Sequence, residues 1–495
     1  MFTKYFKRQL SKANGIKDRT VFLLLSLLAF FIRLPFFFRD YIDRDESTFI
    51  LMGESWVNGH LPYTELWDLK PPLVYLFFAG IISIFGKSFV AIRMLGVLAV
   101  SITAYFTYAM GKQLHSRQTG FLAAIGCVYL LSLFGSLQGV MSEHLSMPFF
   151  MSGLYLLLKQ RSSRYVLLSG LLMGAAIMIK LNLGYAVALP VLFMISQGIR
   201  NKEPLKGFGQ ATVFGFGLLL VVFLCWLPYA LEGQSRLWWN SVVLAPLEYT
   251  EARRYSVLKL APIVVFTALF FYFSFKRKWL PARERAVSLL SLAVVGVVLS
   301  FIQGGRVNGH YLIQFHPAFL VLLGLVLSRT LPPLAAKWKP WVLLVFLLLP
   351  FEAYREYYEI GRYKMERGTF FNGEGFSVPA YLTENEMETA DVFFLEYHIG
   401  YWLLPANPPT KAATHPSNLC RDELFRFYDN PRETSMQELA YIMDTLQPEI
   451  VITRYDRRIF DRKEEEENRY MVNYLKNHYE IIALVDRAEI HRRLK

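Results

Sequence analysis

Cysteine and charge are both scarce in this chain. Only three of its 495 residues are Cys and only 19% are charged. Cys127 and Cys225 lie inside apolar runs and Cys420 alone lies in a polar region, so no disulfide framework or cysteine metal cluster can be built from them. No Walker-type loop, internal repeat or low-complexity stretch occurs, which excludes a P-loop nucleotide site and the repeat architectures. His144, His310 and His316 lack metal-ligand spacing, so no required zinc ion is expected; no cofactor is expected, with a divalent metal left open.

What the chain has in excess is apolar surface. It is 54% hydrophobic and 16% aromatic, with a positive mean hydropathy, a composition whose solvent is a bilayer. Crossing a hydrocarbon core of about 30 Å takes roughly 20 helical residues, and helices satisfy their own backbone groups there. Apolar runs begin near Val21, Phe89, Phe121, Leu145, Tyr165, Tyr185, Phe208, Leu258, Ala286, Tyr311 and Trp341, with a shorter one at Leu73 to Phe85. Met1 to Thr20 carries six Lys and Arg residues ahead of the first run, with no small-residue cleavage site after it; it reads as an uncleaved anchor.

The net charge of +13 resides mainly in short loops between apolar runs, which makes it topological and argues against nucleic acid as a partner. If Leu73 to Phe85 does not cross, the basic loops Lys112 to Arg117, Gln160 to Arg164, Arg200 to Lys206, Lys276 to Arg285 and Arg329 to Lys339 all share the side of the N-terminus. If it does cross, they fall outside, against the positive-inside tendency. The run follows Pro71 and Pro72 and is short, so it is expected at the outer interface. The chain is then a polytopic α-helical membrane protein of about eleven spans, its N-terminus cytoplasmic and its C-terminus extracytoplasmic.

Two domains are expected: residues 1–352 in the membrane, with a first outer loop at 39–87, and residues 353–495 as a small extracytoplasmic α/β domain. In the latter, Asp391 to Tyr397, Glu449 to Arg454 and Tyr479 to Val485 read as strands, and Thr434 to Leu446 and Lys463 to His478 as helices.

The first outer loop concentrates acids, bases and aromatics: Asp43-Arg44-Asp45-Glu46, Trp56, Gly59, Pro62-Tyr63, then Trp67-Asp68-Leu69-Lys70-Pro71-Pro72. Asp45 falls near the start of an interfacial helix whose apolar face is Phe49, Ile50, Met52 and Trp56, where a carboxylate stays ionised. It reads as a general base or, as an isolated Asp-x-x-Thr more often is, as a helix cap. Arg93 and Lys180 lie within or at the ends of apolar runs, where charge is costly and either functional or snorkelling. Glu143, with His144 beside it in a structural role, is a sugar or acceptor contact or a helix N-terminal charge. The turn from Gly304 to Tyr311, holding Arg306 and His310, suits a phosphate or sugar, or is a plain connection. Arg253 and Arg254 are candidates for a lipid phosphate, while Trp238 and Trp239 read as interface anchors.

The order of these motifs resembles the protein O-mannosyltransferase and lipid A aminoarabinose transferase family of lipid-phosphate-sugar-dependent membrane glycosyltransferases. The resemblance rests on Asp45-Glu46, the Gly-x-x-Pro-Tyr turn and Lys70-Pro71-Pro72-Leu73, and continues through Ser142-Glu143, Lys180 and His310-Tyr311 to Gln314 and Pro317. It implies the glycosyltransferase type C fold, with Asp45 as the catalytic base, Glu46 as its neighbour, and Lys70, helped by Arg93 or Arg306, on the donor phosphate. Asp43, Asp68, Glu143, Lys180, Arg253, Arg254, His310 and Tyr311 complete the candidate site. The aminoarabinose transferases commonly place Glu directly before the Lys, whereas Leu69 stands here, so their metal site is not carried over.

The expected function is inverting transfer of a sugar from a polyprenyl phosphate, of undecaprenyl type, to a lipid, glycan or protein acceptor outside the inner membrane; inversion follows from the resemblance alone. A departing polyprenyl phosphate is already a stabilised anion, so such an enzyme needs a base and cations but no general acid. The rival reading is a polytopic lipid or sugar transporter or flippase. Against it, no pair of broken helices occupies corresponding halves and the polar residues gather on one face.

Overall fold

The computed structural model describes residues 17–40, 42–159, 162–252, 257–305, 307–330 and 346–494. It divides into two compact units: the first comprises residues 1–36, 93–228 and 253–356, the second residues 37–92, 229–252 and 357–495.

The helices in chain order are α1 (Asp18–Arg33), α2 (Arg44–Val57), α3 (Leu73–Phe85), α4 (Phe89–Leu114), α5 (Arg117–Leu130), α6 (Ser142–Lys159), α7 (Ser163–Ile179), α8 (Gly184–Arg200), α9 (Pro204–Leu231), α10 (Ala261–Lys276), α11 (Arg285–Gly304) and α12 (Leu312–Thr330). Among the described residues, seven stretches are long and apolar enough to cross a membrane: Asp18–Phe38, Phe89–Leu114, Leu181–Arg200, Pro204–Leu231, Leu258–Lys276, Arg285–Gly304 and Gly309–Thr330. The runs from Phe121 and Tyr165 form the shorter α5 and α7, and the run from Leu145 forms α6, which opens on Ser142, Glu143 and His144. The run from Trp341 begins outside the described residues. The chain is thus an integral membrane protein, and α9 and α10 show why: Phe216, Leu219, Phe223, Phe266 and Leu269 are all exposed, which only lipid tolerates.

Lipid is as apolar as a leucine side chain, so helices in a bilayer associate by close packing instead of hydrophobic exclusion. Small residues permit it here. A Cβ on Gly111 of α4 would lie 2.7 Å from the Cα of Gly120 in α5, and one on Gly296 of α11 would lie 2.5 Å from the Cα of Ala186 in α8. Gly96 leaves room for the fully buried Arg33 guanidinium. Arg33 donates to the carbonyls of Leu137 and Gly139, each at 2.6 Å, so a charge that would be costly in the membrane is satisfied by the turn after α5.

In the second unit α2 and α3 cross at Gly53, where a Cβ would stand 2.7 Å from that of Phe78. Helix α3 has 13 residues, about 20 Å of rise and so less than a hydrocarbon core; Pro72 precedes it and Gly86, at φ 64°, ends it. The first loop is also tied to the C-terminal segment. Asp40 N–H donates to Asn372 O (3.0 Å), Asn372 N–H to Phe38 O (2.9 Å), and the Asp40 carboxylate accepts from Gly375 N–H (2.5 Å) at the start of helix α14 (Glu374–Glu384), which follows α13 (Phe351–Arg367).

The C-terminal segment carries a four-stranded sheet in the order β1-β2-β4-β3, from β1 (Val392–Phe394), β2 (Ile450–Arg454), β3 (Tyr479–Val485) and β4 (Ala488–Arg493). β1 and β2 are parallel and the other pairs antiparallel. Helix α15 (Glu465–His478) precedes β3. The expected strand at Asp391 to Tyr397 is cut to three residues, and β4 was not foreseen. Its Glu489, Arg492 and Arg493 mask the alternation of buried Ala488 and Ile490, and Asp486 turns the hairpin at φ 53° without a glycine.

Candidate active site

Asp43 is the cap of α2, its Oδ1 accepting from Asp45 N–H at 3.0 Å. Asp45 therefore sits in the first turn, where the helix dipole favours its negative charge. Its Oδ2 lies 3.4 Å from Lys70 Nζ, and the same ammonium lies 3.6 Å from Asp68 Oδ2. Tyr75 of α3 donates to Asp68 at 3.3 Å and its hydroxyl accepts Lys70 N–H at 3.2 Å; Tyr63 donates to Lys70 O at 2.6 Å. Tyr63 is fully buried and holds φ 75°, a conformation that costs a non-glycine residue on the order of 1–3 kcal/mol. That strained turn and the two prolines after Lys70 fix the backbone from which the ammonium projects. Lys70 Nζ also stands 5.5 Å from the ring centre of Phe49, and Glu46 is buried one residue beyond Asp45.

The same cluster includes residues from the far end of the chain. His415 Nε2 lies 3.2 Å from Asp45 Oδ1, and its Nδ1 accepts from Ser417 N–H at 3.2 Å, so the neutral ring carries its proton on Nε2 and donates to Asp45. His398 pairs with Thr48 Oγ1 at 3.0 Å. Burial, then the nearby His415 and Arg44, hold His398 well below the usual imidazole range. Arg44 is paired with Glu396 at 2.5 Å. No motif in the first loop signals His415, His398 or Glu396, and sequence reasoning did not select them.

A second cluster lies in the first unit. Glu143, in the first turn of α6, is fully buried; its Oε1 is 2.7 Å from Lys180 Nζ and 4.0 Å from His310 Nε2, and Ser142 donates to its Oε2 at 3.1 Å. Lys180, just past the end of α7, also stands 4.8 Å from the ring centre of Tyr311. Desolvating such a pair costs several kcal/mol per ion, so it needs close geometry to persist. His144 accepts Met141 N–H at 3.2 Å and meets Leu131 O at 2.8 Å, bonds that hold the backbone.

The structure thus brings Asp45, Lys70, Asp68 and the capping Asp43 together in one unit, and Glu143, Lys180, His310 and Tyr311 together in the other. Arg93 belongs to the first unit, where it is fully buried and donates to Phe36 O. Arg253, Arg254 and Arg306 lie outside the described residues.

Residues 69–229 match the family described as dolichyl-phosphate-mannose-protein mannosyltransferase, a segment that includes Lys70, Arg93, Glu143 and Lys180 and begins after Asp45. Among curated proteins, none matches the chain. Two solved structures of ArnT from Cupriavidus metallidurans are similar. One, bound to undecaprenyl phosphate, is 14% identical with a TM-score of 0.58 over 96% of this chain and 98% of that one. The other, in the apo state, is 13% identical with a TM-score of 0.59 over 96% and 97%. The resemblance is therefore borne out: the chain has the glycosyltransferase type C fold, and its residues 69–229 match the mannosyltransferase family.

Proposed function

We propose that this membrane glycosyltransferase moves a sugar from an undecaprenyl-type polyprenyl phosphate to a lipid, glycan or protein acceptor on the extracytoplasmic side of the inner membrane, with residues 353–495 on that side. The observation that carries the reading is the Asp45 carboxylate 3.4 Å from the Lys70 ammonium, in a motif order that resembles that of lipid-phosphate-sugar transferases. Undecaprenyl phosphate in the similar ArnT structure supports the carrier class.

Asp45 takes the proton of the acceptor hydroxyl as that oxygen bonds to the anomeric carbon. The bond from the anomeric carbon to the phosphate oxygen breaks, its electron pair stays on the phosphate, and the diester monoanion leaves as a monoester dianion. Lys70 holds the added charge, at a place shielded by lipid where a cation is worth more than in water. Arg93 and Arg306 are further proposed partners of that phosphate, and Arg253 and Arg254 are further candidates for it. Glu143, Lys180, His310 and Tyr311 are proposed contacts of the sugar or acceptor.

The test follows the carrier lipid. Purified protein, given a polyprenyl-phosphate sugar and a crude envelope acceptor extract, is expected to release free polyprenyl phosphate. Movement of a labelled lipid or sugar between leaflets with no such release would replace the transferase with a transporter.

A further inference from the structure

The second unit contains a cavity of about 230 Å³ that none of the assigned roles uses. Five arginines line it, Arg44, Arg454, Arg457, Arg458 and Arg462, against two acidic residues, Glu396 and Asp461. Glu396 is already paired with Arg44 at 2.5 Å. The excess of positive charge lies on one loop, Tyr455 to Arg462, in which Arg457 and Arg458 are exposed.

That loop is built and held. Asn468 in the first turns of α15 accepts Phe460 N–H at 2.9 Å and donates to Asp461 O at 3.1 Å and Glu464 O at 2.6 Å, while the Phe460 side chain is buried. Tyr455 N–H donates to Arg487 O at 2.8 Å, which ties the start of the loop to the β3–β4 turn. The cavity also has a characteristic place in the topology. Leu395 and Glu396 follow β1, Thr453 and Arg454 end β2, and these two strands are parallel. Ligands of α/β sheets bind outside the carboxyl ends of parallel strands, where loops diverge. Guanidinium forks match phosphate oxygens two at a time, a geometry that an ammonium cannot supply.

We propose that this cavity binds a phosphate group of the acceptor, an inference that rests on the transfer reading above. Arg457, Arg458 and Arg462 take the phosphate. Arg44 connects the cavity wall to the reaction, since Asp45 is its neighbour in the first turn of α2. The acceptor is thus an anionic glycan or a lipid with a phosphate headgroup, anchored at a distance from the hydroxyl that reacts.

The experiment is calorimetric titration of the purified full-length protein in neutral detergent with two probes, inorganic pyrophosphate and dihexanoyl phosphatidic acid, with dihexanoyl phosphatidylcholine as the zwitterionic control. Wild-type protein is expected to bind at least one phosphate probe, more weakly as salt rises. Arg457→Ser/Arg458→Ser is expected to lose roughly tenfold or more in affinity; Arg457→Lys/Arg458→Lys, which keeps the charge and loses the fork, loses less. In the transfer assay the serine variant raises KM for the acceptor extract and leaves kcat unchanged. Preference for pyrophosphate assigns the phosphate to a glycan, and preference for phosphatidic acid assigns it to a lipid. Binding of neither probe, or equal binding by wild type and the serine variant, overturns the proposal. Wild-type protein that binds the anion but releases no carrier lipid refutes the transfer reading alone and leaves the anion site standing.

Discussion

His415 Nε2 stands 3.2 Å from Asp45 Oδ1, a contact between residues 370 positions apart. Because Ser417 N–H occupies the other ring nitrogen, the imidazole can only donate to the carboxylate in its neutral form, which orients one oxygen and leaves the other toward Lys70. Hydrogen bonds to charged groups contribute about 1.5–3 kcal/mol, so His415→Ala should lower kcat roughly 10- to 100-fold. His415→Gln, which retains a donor, should recover part of the loss. Steady-state kinetics that show only a raised KM would reduce His415 to a packing residue.

Removing the charge of Asp45 tests the base directly. Asp45→Asn preserves size and most hydrogen bonding, and transfer should fall by roughly 100- to 10,000-fold while expression and donor binding persist. Turnover near that of wild type would leave Asp45 a helix-terminal charge and nothing more.

Lys70 is tested by Met, which keeps the apolar stem over Phe49 and discards the cation. Release of free polyprenyl phosphate should drop about 100-fold, as for other lost stabilisers of developing negative charge. A drop of only a few fold, the yield of an exposed ion pair, would place the leaving charge elsewhere.

His398 links stability to pH. The unfolded imidazole titrates near about 6.5, whereas the native ring, buried and held well below that, refuses the proton. The unfolded chain therefore binds more protons as pH falls below about 6.5, and stability declines by about 1.4 kcal/mol per unit until the native value is reached. Thermal melting followed across this range should show Tm falling on the acid side in wild type. His398→Gln should flatten that slope, and identical slopes would assign the acid sensitivity to another group.

Orientation is open to thiol labelling, since Cys127, Cys225 and Cys420 are all buried and give little background. Phe134 and Gln113 are both exposed. Phe134→Cys should react with an impermeant reagent added from outside, and Gln113→Cys should not. The opposite pattern would mean that α3 crosses the membrane, and the proposed site would have to be rebuilt.

Some of this protein was determined by residues within one or two helical turns of each other. Run length and hydropathy set the apolar helices, because a bilayer leaves the backbone no partner but itself. The stretch from Asp43 to Pro72 was legible as a site for a related reason: the cap on Asp45, the turn at Tyr63 and the prolines after Lys70 all act locally. Tertiary structure decided the rest. It selected His415, His398 and Glu396 from among many polar residues of the C-terminal segment, and it joined Glu143, Lys180 and His310 from three separate segments. It also placed β4 inside the sheet, where its charged residues had concealed it. Such pairings depend on which surfaces pack once the chain has closed long loops, and neither period nor propensity encodes the identity of a partner hundreds of residues away.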